Sequence, residues 1–212
     1  MDNNKKHLDD LTHIRSLMER SSRFLSLSGL SGVFAGIYAL IGAAIVYFDF
    51  QAGSMSYSQY VRSAIGEEQP TVRVYYLIAV AVLVLFASVV TGFAFTSRKA
   101  KKQNLKMWDN SAKLMMSNLM IPLVAGGALG IILLQNGDFK YVAPITLLFY
   151  GLGLFSASKY SFAELRYLGL CEIALGLIGC AYIGYGLLLW SIGFGVLHIA
   201  YGAFMYYKYE RN

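Results

Sequence analysis

Apolar residues in this chain fall into long, almost unbroken runs separated by short polar stretches. They do not form the one-sided stripe of a soluble helix or the alternation of a half-buried strand. Six runs, at about 24–50, 75–96, 114–135, 141–158, 166–184 and 187–206, approach the length needed to cross a hydrocarbon core. Such a core is about 30 Å thick and takes roughly 20 helical residues. Within lipid each backbone amide must be satisfied inside its own segment, so the runs predict helices. The alternating pattern of a membrane barrel is absent. The expected fold is an all-α integral membrane protein, a six-transmembrane-helix bundle over residues 24–212. The boundary between the last two helices rests on "GYG" at 184–186.

Residues 1–23 form a separate cytoplasmic segment in which Leu8, Leu11, Ile14, Leu17 and Met18 recur at helical spacing among charges. That spacing predicts a short amphipathic helix lying on the cytoplasmic face or pairing with a partner. The first apolar run is too long for a signal-peptide core and lacks a small-residue cleavage site, so it is expected to stay in place. The loops are short. The longest outer one, about 51–74, carries "GEEQP" and is placed to fold over the bundle mouth. No soluble catalytic or sensory domain fits between the helices.

Composition agrees with this reading: 57% of the residues are hydrophobic and 14% charged, against about a quarter charged in soluble domains. The mean hydropathy is +0.51. Charge sets the orientation. With the N-terminus inside and six crossings, all of the 18 Lys and Arg except Arg62, Arg73 and Lys140 are cytoplasmic. The positive-inside rule demands this asymmetry, and a five- or seven-helix count would spoil it. Both termini are therefore expected in the cytoplasm. The net charge of +6 does not point to nucleic acid, because no aromatic-interleaved basic platform accompanies it. "SRKAKKQNLK" (97–106) reads instead as a topology determinant touching anionic headgroups. Tyr47, Phe48, Tyr75, Tyr76, Tyr141 and Trp190 are placed to ring the outer interface. Tyr160, Tyr167, Tyr206, Tyr207 and Tyr209 are placed to ring the inner one.

The helix faces carry the most information. Gly29, Gly32, Gly36, Ala39 and Ala43 step by three and four, which keeps them on one stripe of the first helix. Small residues there let another backbone approach closely. The fifth helix repeats the spacing with Gly169, Glu172, Gly176 and Gly179, and the sixth carries Gly195, His198 and Gly202. Glu172 stands where the first helix has Gly32, so it is expected to point into the bundle. A carboxylate near mid-membrane costs at least a few kcal/mol and needs a partner or a proton. Glu172 and His198 each lie 13 residues from Tyr185. Antiparallel helices joined there hold both at one level, about 20 Å from the turn.

Two readings of the pair compete. One is a structural clasp, a Glu–His hydrogen bond worth about 1 kcal/mol that also fixes the imidazole tautomer. The other is a proton relay, ligand site or metal site. Asn118, four residues before Pro122, is a secondary candidate, placed to cap the carbonyl that the proline frees or to line a cavity. "GGALG" (126–130) suits close packing or dimerisation, Leu40→Ile is expected to be mild if that position faces lipid, and Glu164 and Arg166 are placed to interact at the inner interface as solvated charges.

Enzyme signatures are missing: no HExxH, no histidine cluster, and no Ser-His-Asp set that the helices assemble. No cofactor, catalytic residue or metal centre is therefore assigned. Cys171 and Cys180, nine residues apart on one helix, point to opposite faces and cannot bridge. "ASKYSFAELRYLGLCE" (157–172) and "GFGVLHIAYG" (193–202) resemble small six-helix inner-membrane proteins of bacteria with no established activity. The resemblance implies a bacterial inner-membrane location and assigns no functional residues. The leading expectation is a non-enzymatic accessory or regulatory subunit acting through helix packing. The alternative is a small-solute or proton-coupled carrier using Glu172 and His198. Expected partners are the lipid bilayer and either a second copy or a membrane or cytoplasmic protein, without nucleic acid. With the native cysteines replaced, Asn104→Cys should react with an impermeant thiol reagent only from the cytoplasmic side and Gln59→Cys only from outside; outside labelling at position 104 would overturn the orientation.

Overall fold

The computed structural model describes Phe24 and residues 26–63, 72–102 and 108–211. The amphipathic segment expected in residues 1–23 lies outside the described residues. Among the described residues every regular element is helical. Helix α1 is Gly29–Ala52 and α2 is the short Tyr57–Ser63. They are followed by α3, Val72–Lys102, and α4, Asn110–Gln135. Helix α5, Val142–Ala157, has a 3₁₀ turn at each end, and α6 is Leu165–Ala181. The last helix, α7, runs from Gly186 to Tyr209, and its middle, Ser191–Leu197, is π-helical.

Five of these segments are long and apolar enough to cross a membrane, which fits a multi-pass membrane protein. Helix α6 has 17 residues, the lower limit for a crossing. It stops at Ala181, three residues before the predicted end at 184, because Gly184 takes φ +103° and turns the chain. A left-handed residue of that kind suits glycine. Helix α3 is longer than predicted, running through Lys102. Its final turn carries Lys99, Lys101 and Lys102, which the negative end of the helix dipole favours. Helix α4 starts at Asp109, whose carboxylate accepts from the Ala112 amide at 2.7 Å, a side-chain N-cap.

Helix α1 packs between α3 and α7, while α5 packs between α4 and α6 and also meets α7. Two glycine seams hold this arrangement. In the first, α1 meets α7: a Cβ on Gly36 would stand 2.6 Å from the Gly195 carbonyl oxygen, and one on Gly202 would stand 2.6 Å from the Gly29 carbonyl oxygen. Gly32 faces the Gly202 α-carbon, 3.2 Å from where its own Cβ would be. Leu40, for which the sequence left a lipid-facing position as a condition, is half-buried and covers Gly195. In the second seam α6 meets α5. Gly169 lies against the Gly151 carbonyl, Gly176 against the Leu148 amide and the Pro144 carbonyl, and Gly179 against the Pro144 ring. The "GGALG" stretch behaves differently: Gly126 seats Phe149, whereas Gly127 and Gly130 have nothing near them.

One end of the bundle is tied together by polar groups. The Phe24 amide donates to the Tyr160 carbonyl at 2.8 Å, and Ser161 Oγ donates to the Phe24 carbonyl at 3.0 Å. The Glu210 carboxylate accepts from the Gly29 amide at 2.5 Å and from Ser28 Oγ at 3.1 Å. The residue that follows α7 thus supplies the N-cap of α1. Lys99 Nζ lies 3.3 Å from Glu210 and donates to the Leu27 carbonyl at 2.7 Å. Glu164 does not pair with Arg166, contrary to the expectation. It accepts from Lys208 Nζ at 2.5 Å and from the Tyr209 hydroxyl at 2.8 Å. Burial pushes the Glu164 carboxyl up, but these two donors outweigh it and hold the group below the usual carboxylate range. Arg166 lies over the Phe155 ring instead, 5.2 Å from its centre.

The seams give a direct test. Gly36→Ala and Gly176→Ala each force a methyl group onto backbone atoms, so each should destabilise by about 1–3 kcal/mol. Gly127→Ala, with nothing within 4 Å, should be neutral or mildly stabilising through helix propensity. Thermal unfolding in detergent compares the three; equal melting temperatures for all of them would contradict the seams.

Candidate functional site

Glu172 and His198 meet where α5, α6 and α7 converge. Glu172 is 0% exposed and His198 6%. Glu172 reaches the junction because the α6 glycine face that carries it packs on α5, with its Cβ beside Gly151. Its carboxyl then projects past Leu147 onto Gly193 of α7. A Cβ at Gly193 would stand 2.5 Å from Glu172 Oε2 and 2.6 Å from Leu147 Cδ2. The missing side chain at Gly193 is what makes room for the acid.

The expected Glu–His hydrogen bond is not formed. His198 Nδ1 lies 3.4 Å from Glu172 Oε1, an ion-pair distance, while the same nitrogen is 3.0 Å from the Gly193 carbonyl oxygen. A carbonyl can only accept, so Nδ1 carries a proton and donates to it. On the far side of the ring the Tyr150 hydroxyl stands 2.8 Å from Nε2. In the neutral imidazole Nε2 accepts from that hydroxyl. The tautomer is therefore set by Gly193 and Tyr150 rather than by Glu172, which corrects the clasp reading. The Tyr150 ring stacks 5.4 Å from the imidazole and the Phe194 ring 5.8 Å, so the histidine is walled by aromatic faces.

Glu172 consequently has no hydrogen-bond partner on either oxygen among the described residues, and the Tyr201 hydroxyl is buried in the same condition. A lone carboxylate here would lose its hydration without replacement, at a cost of several kcal/mol. Two arrangements avoid that. In one, Glu172 is a neutral acid beside a neutral imidazole. In the other, it is a carboxylate facing an imidazolium across 3.4 Å. They differ by the position of a single proton. The proton does not pass directly across that gap, because Nδ1 already carries one in both arrangements; the nitrogen that gains it is Nε2, on the Tyr150 side of the ring.

The remaining sequence candidates lie elsewhere. Asn118 neither caps the carbonyl freed by Pro122 nor lines the apolar crevice described below. Its Nδ2 donates to the Leu114 carbonyl at 2.9 Å, one turn back on its own helix. Gly29, Gly32, Gly36 and Gly202 belong to the α1–α7 seam, 169, 176 and 179 to the α5–α6 seam, and Gly195 lies under Leu40. Cys171 and Cys180 are free thiols. Among the described residues no three His, Cys, Asp or Glu side chains gather in one place. Two site residues escape a sequence reading, Tyr150 and Gly193. Gly193 precedes His198 by five positions, a spacing that faces away on an α-helix but meets in a π turn. Tyr150 carries no signal beyond its position in an apolar helix.

Comparison of the chain with protein-family models, curated proteins and solved structures finds no match. The class is therefore defined by the fold and the junction alone: an all-helical, multi-pass membrane protein with one acid and one imidazole buried in a close-packed interface.

Tyr150→Phe removes the donor to Nε2 and should destabilise by about 1–3 kcal/mol, the cost of an orphaned buried acceptor. In a His198→Phe background the same change should cost much less, because no nitrogen remains to be satisfied. Melting curves of the two singles and the double check this, and equal costs in both backgrounds would contradict the assigned bond.

Proposed function

We propose that this chain is a six-crossing protein of the bacterial inner membrane, with both termini in the cytoplasm, that acts as a non-enzymatic accessory or regulatory subunit through helix packing. The observation that carries the reading is the setting of Glu172 and His198. They sit buried in a glycine-packed junction, and the apolar crevice beside α1 is lined by neither. A carrier for a polar solute needs water or substrate to reach its ionisable groups.

Six crossings are supported by the gathering at one end of Phe24, Lys99, the α5–α6 turn and Glu210. Arg73 pairs with Asp49 at 3.7 Å at the opposite end, and Lys140 with Asp138 at 2.9 Å. At 1.5 Å per residue α6 spans about 25 Å, a shortfall that local thinning of the bilayer accommodates. Helix α3 rests on α1 and leaves Leu83, Phe86, Val89 and Phe93 exposed. That face is available to lipid, to a second copy or to another membrane subunit.

A second reading, a proton-coupled carrier, is favoured by one observation: the unsatisfied oxygens of Glu172 are a poor investment for a purely structural link. Reconstitution into vesicles with a trapped pH-sensitive dye separates the two. The accessory reading expects no proton flux that depends on Glu172. Flux lost in Glu172→Gln, with the folded protein retained on gel filtration, would overturn it in favour of the carrier.

A further inference from the structure

We propose that the crevice between α3 and α4 is a binding site for one acyl chain of a phospholipid from the outer half of the bilayer, an inference that rests on the membrane-spanning orientation given above. The crevice has about 120 Å³ of free space. Its walls come from six helices, including Ala43 and Val46 of α1, Ile78 and Ala81 of α3, Leu134 of α4 and Trp190 of α7. Two polar side chains touch it. The Thr146 hydroxyl is spent on the Ala143 carbonyl at 2.7 Å. The Tyr57 hydroxyl is pushed up to about 12 by burial, with a smaller contribution from Tyr60, and stays neutral. Apolar voids of this order, about 150 Å³ in an engineered case, stay dry and take up hydrocarbon-like guests.

Position favours a lipid chain over a free apolar solute. On α3 the lining runs from Val74 to Ala81, so the crevice reaches about 13 Å below the helix start at Val72. That depth is close to half of the roughly 30 Å hydrocarbon core, the reach of one leaflet. Its outer end is covered by α2, whose Tyr57 hydroxyl abuts Gly186. Its side is open: α3 packs on α1 and α4 packs on α5, and Ala81 and Thr146 on the rim are exposed. The crevice therefore communicates sideways with hydrocarbon rather than upward with water. Arg73, adjacent to Val74, has a side chain 34% exposed and only a loose pairing with Asp49 at 3.7 Å, so it provides a cation at headgroup level for the phosphate of the same molecule.

The chain has two tryptophans, Trp108 and Trp190, so Trp108→Phe leaves the crevice residue as the single tryptophan, read by excitation at the red edge where tyrosine does not absorb. The full chain is reconstituted in phosphatidylcholine–phosphatidylglycerol vesicles whose acyl chains are either plain or brominated at mid-chain. An occupied crevice predicts that Trp190 loses most of its emission in brominated vesicles and that Ala81→Phe, which fills the crevice, restores much of it. Phe86→Trp, in a background lacking both native tryptophans, reports separately whether α3 faces hydrocarbon. Quenching at position 86 without quenching at Trp190 would overturn the lipid site and leave the membrane reading intact. Equal quenching of Trp190 with and without Ala81→Phe would also overturn it, since the quencher would then be bulk lipid. No quenching at either position would reject the site together with the orientation it rests on. Loss of Trp190 quenching on cross-linked dimer formation would assign the crevice to a second copy and overturn the lipid.

Discussion

Helix backbones in a hydrocarbon medium gain nothing from hiding apolar side chains from each other, since lipid is as apolar as leucine. What they gain is dispersion contact, which grows as the axes approach, and the axes approach only where side chains are small. That constraint organises this protein. Gly29, Gly32, Gly36 and Gly202 bring α1 onto α7, and Gly151, Gly169 and Gly176 bring α5 onto α6. Because the contacts are backbone on backbone, each seam fixes the height and rotation of a whole helix. The rest of the architecture, including where Glu172 points, follows from those two alignments.

The junction is where stability and chemistry part company. A carboxyl group with neither oxygen bonded contributes little as an interhelical link, and it costs desolvation. The imidazole beside it is fully committed to Gly193 and Tyr150. A purely structural site would be better served by a pair of apolar residues of the same volume. The arrangement instead holds an unbonded carboxyl 3.4 Å from a protonated ring nitrogen, flanked by a π segment, a geometry that recurs at functional sites.

The two ends of the bundle differ in character. At one end Glu210 caps α1, Lys99 reaches the Leu27 carbonyl, and Phe24 is bonded to the α5–α6 turn. Four parts of the chain are thereby fastened where α1 begins. Toward the opposite end α3 and α4 flank an apolar crevice. The closed end and the laterally open half give the molecule a polarity across the membrane beyond that of its charges.

The linear chain determined the helical nature of the apolar runs, since backbone groups in lipid must bond locally, and it placed Glu172 and His198 at one depth, since helical rise is fixed. It also marked the close-contact faces, because glycine at steps of three and four stays on one side. It did not say which helix each face meets: the small residues of α1 chose α7 and those of α6 chose α5, and a stripe of hydrogens carries no address. The shape of Leu40 over Gly195 and the backward bond of Asn118 to Leu114 were open for the same reason. Most of all, the partners of His198 belong to the tertiary structure. Gly193 comes within reach only because α7 widens into a π turn, and Tyr150 only because α5 is pressed against that turn. Helical periodicity is a local property, whereas a departure from it is decided by the neighbours that the helix must fit.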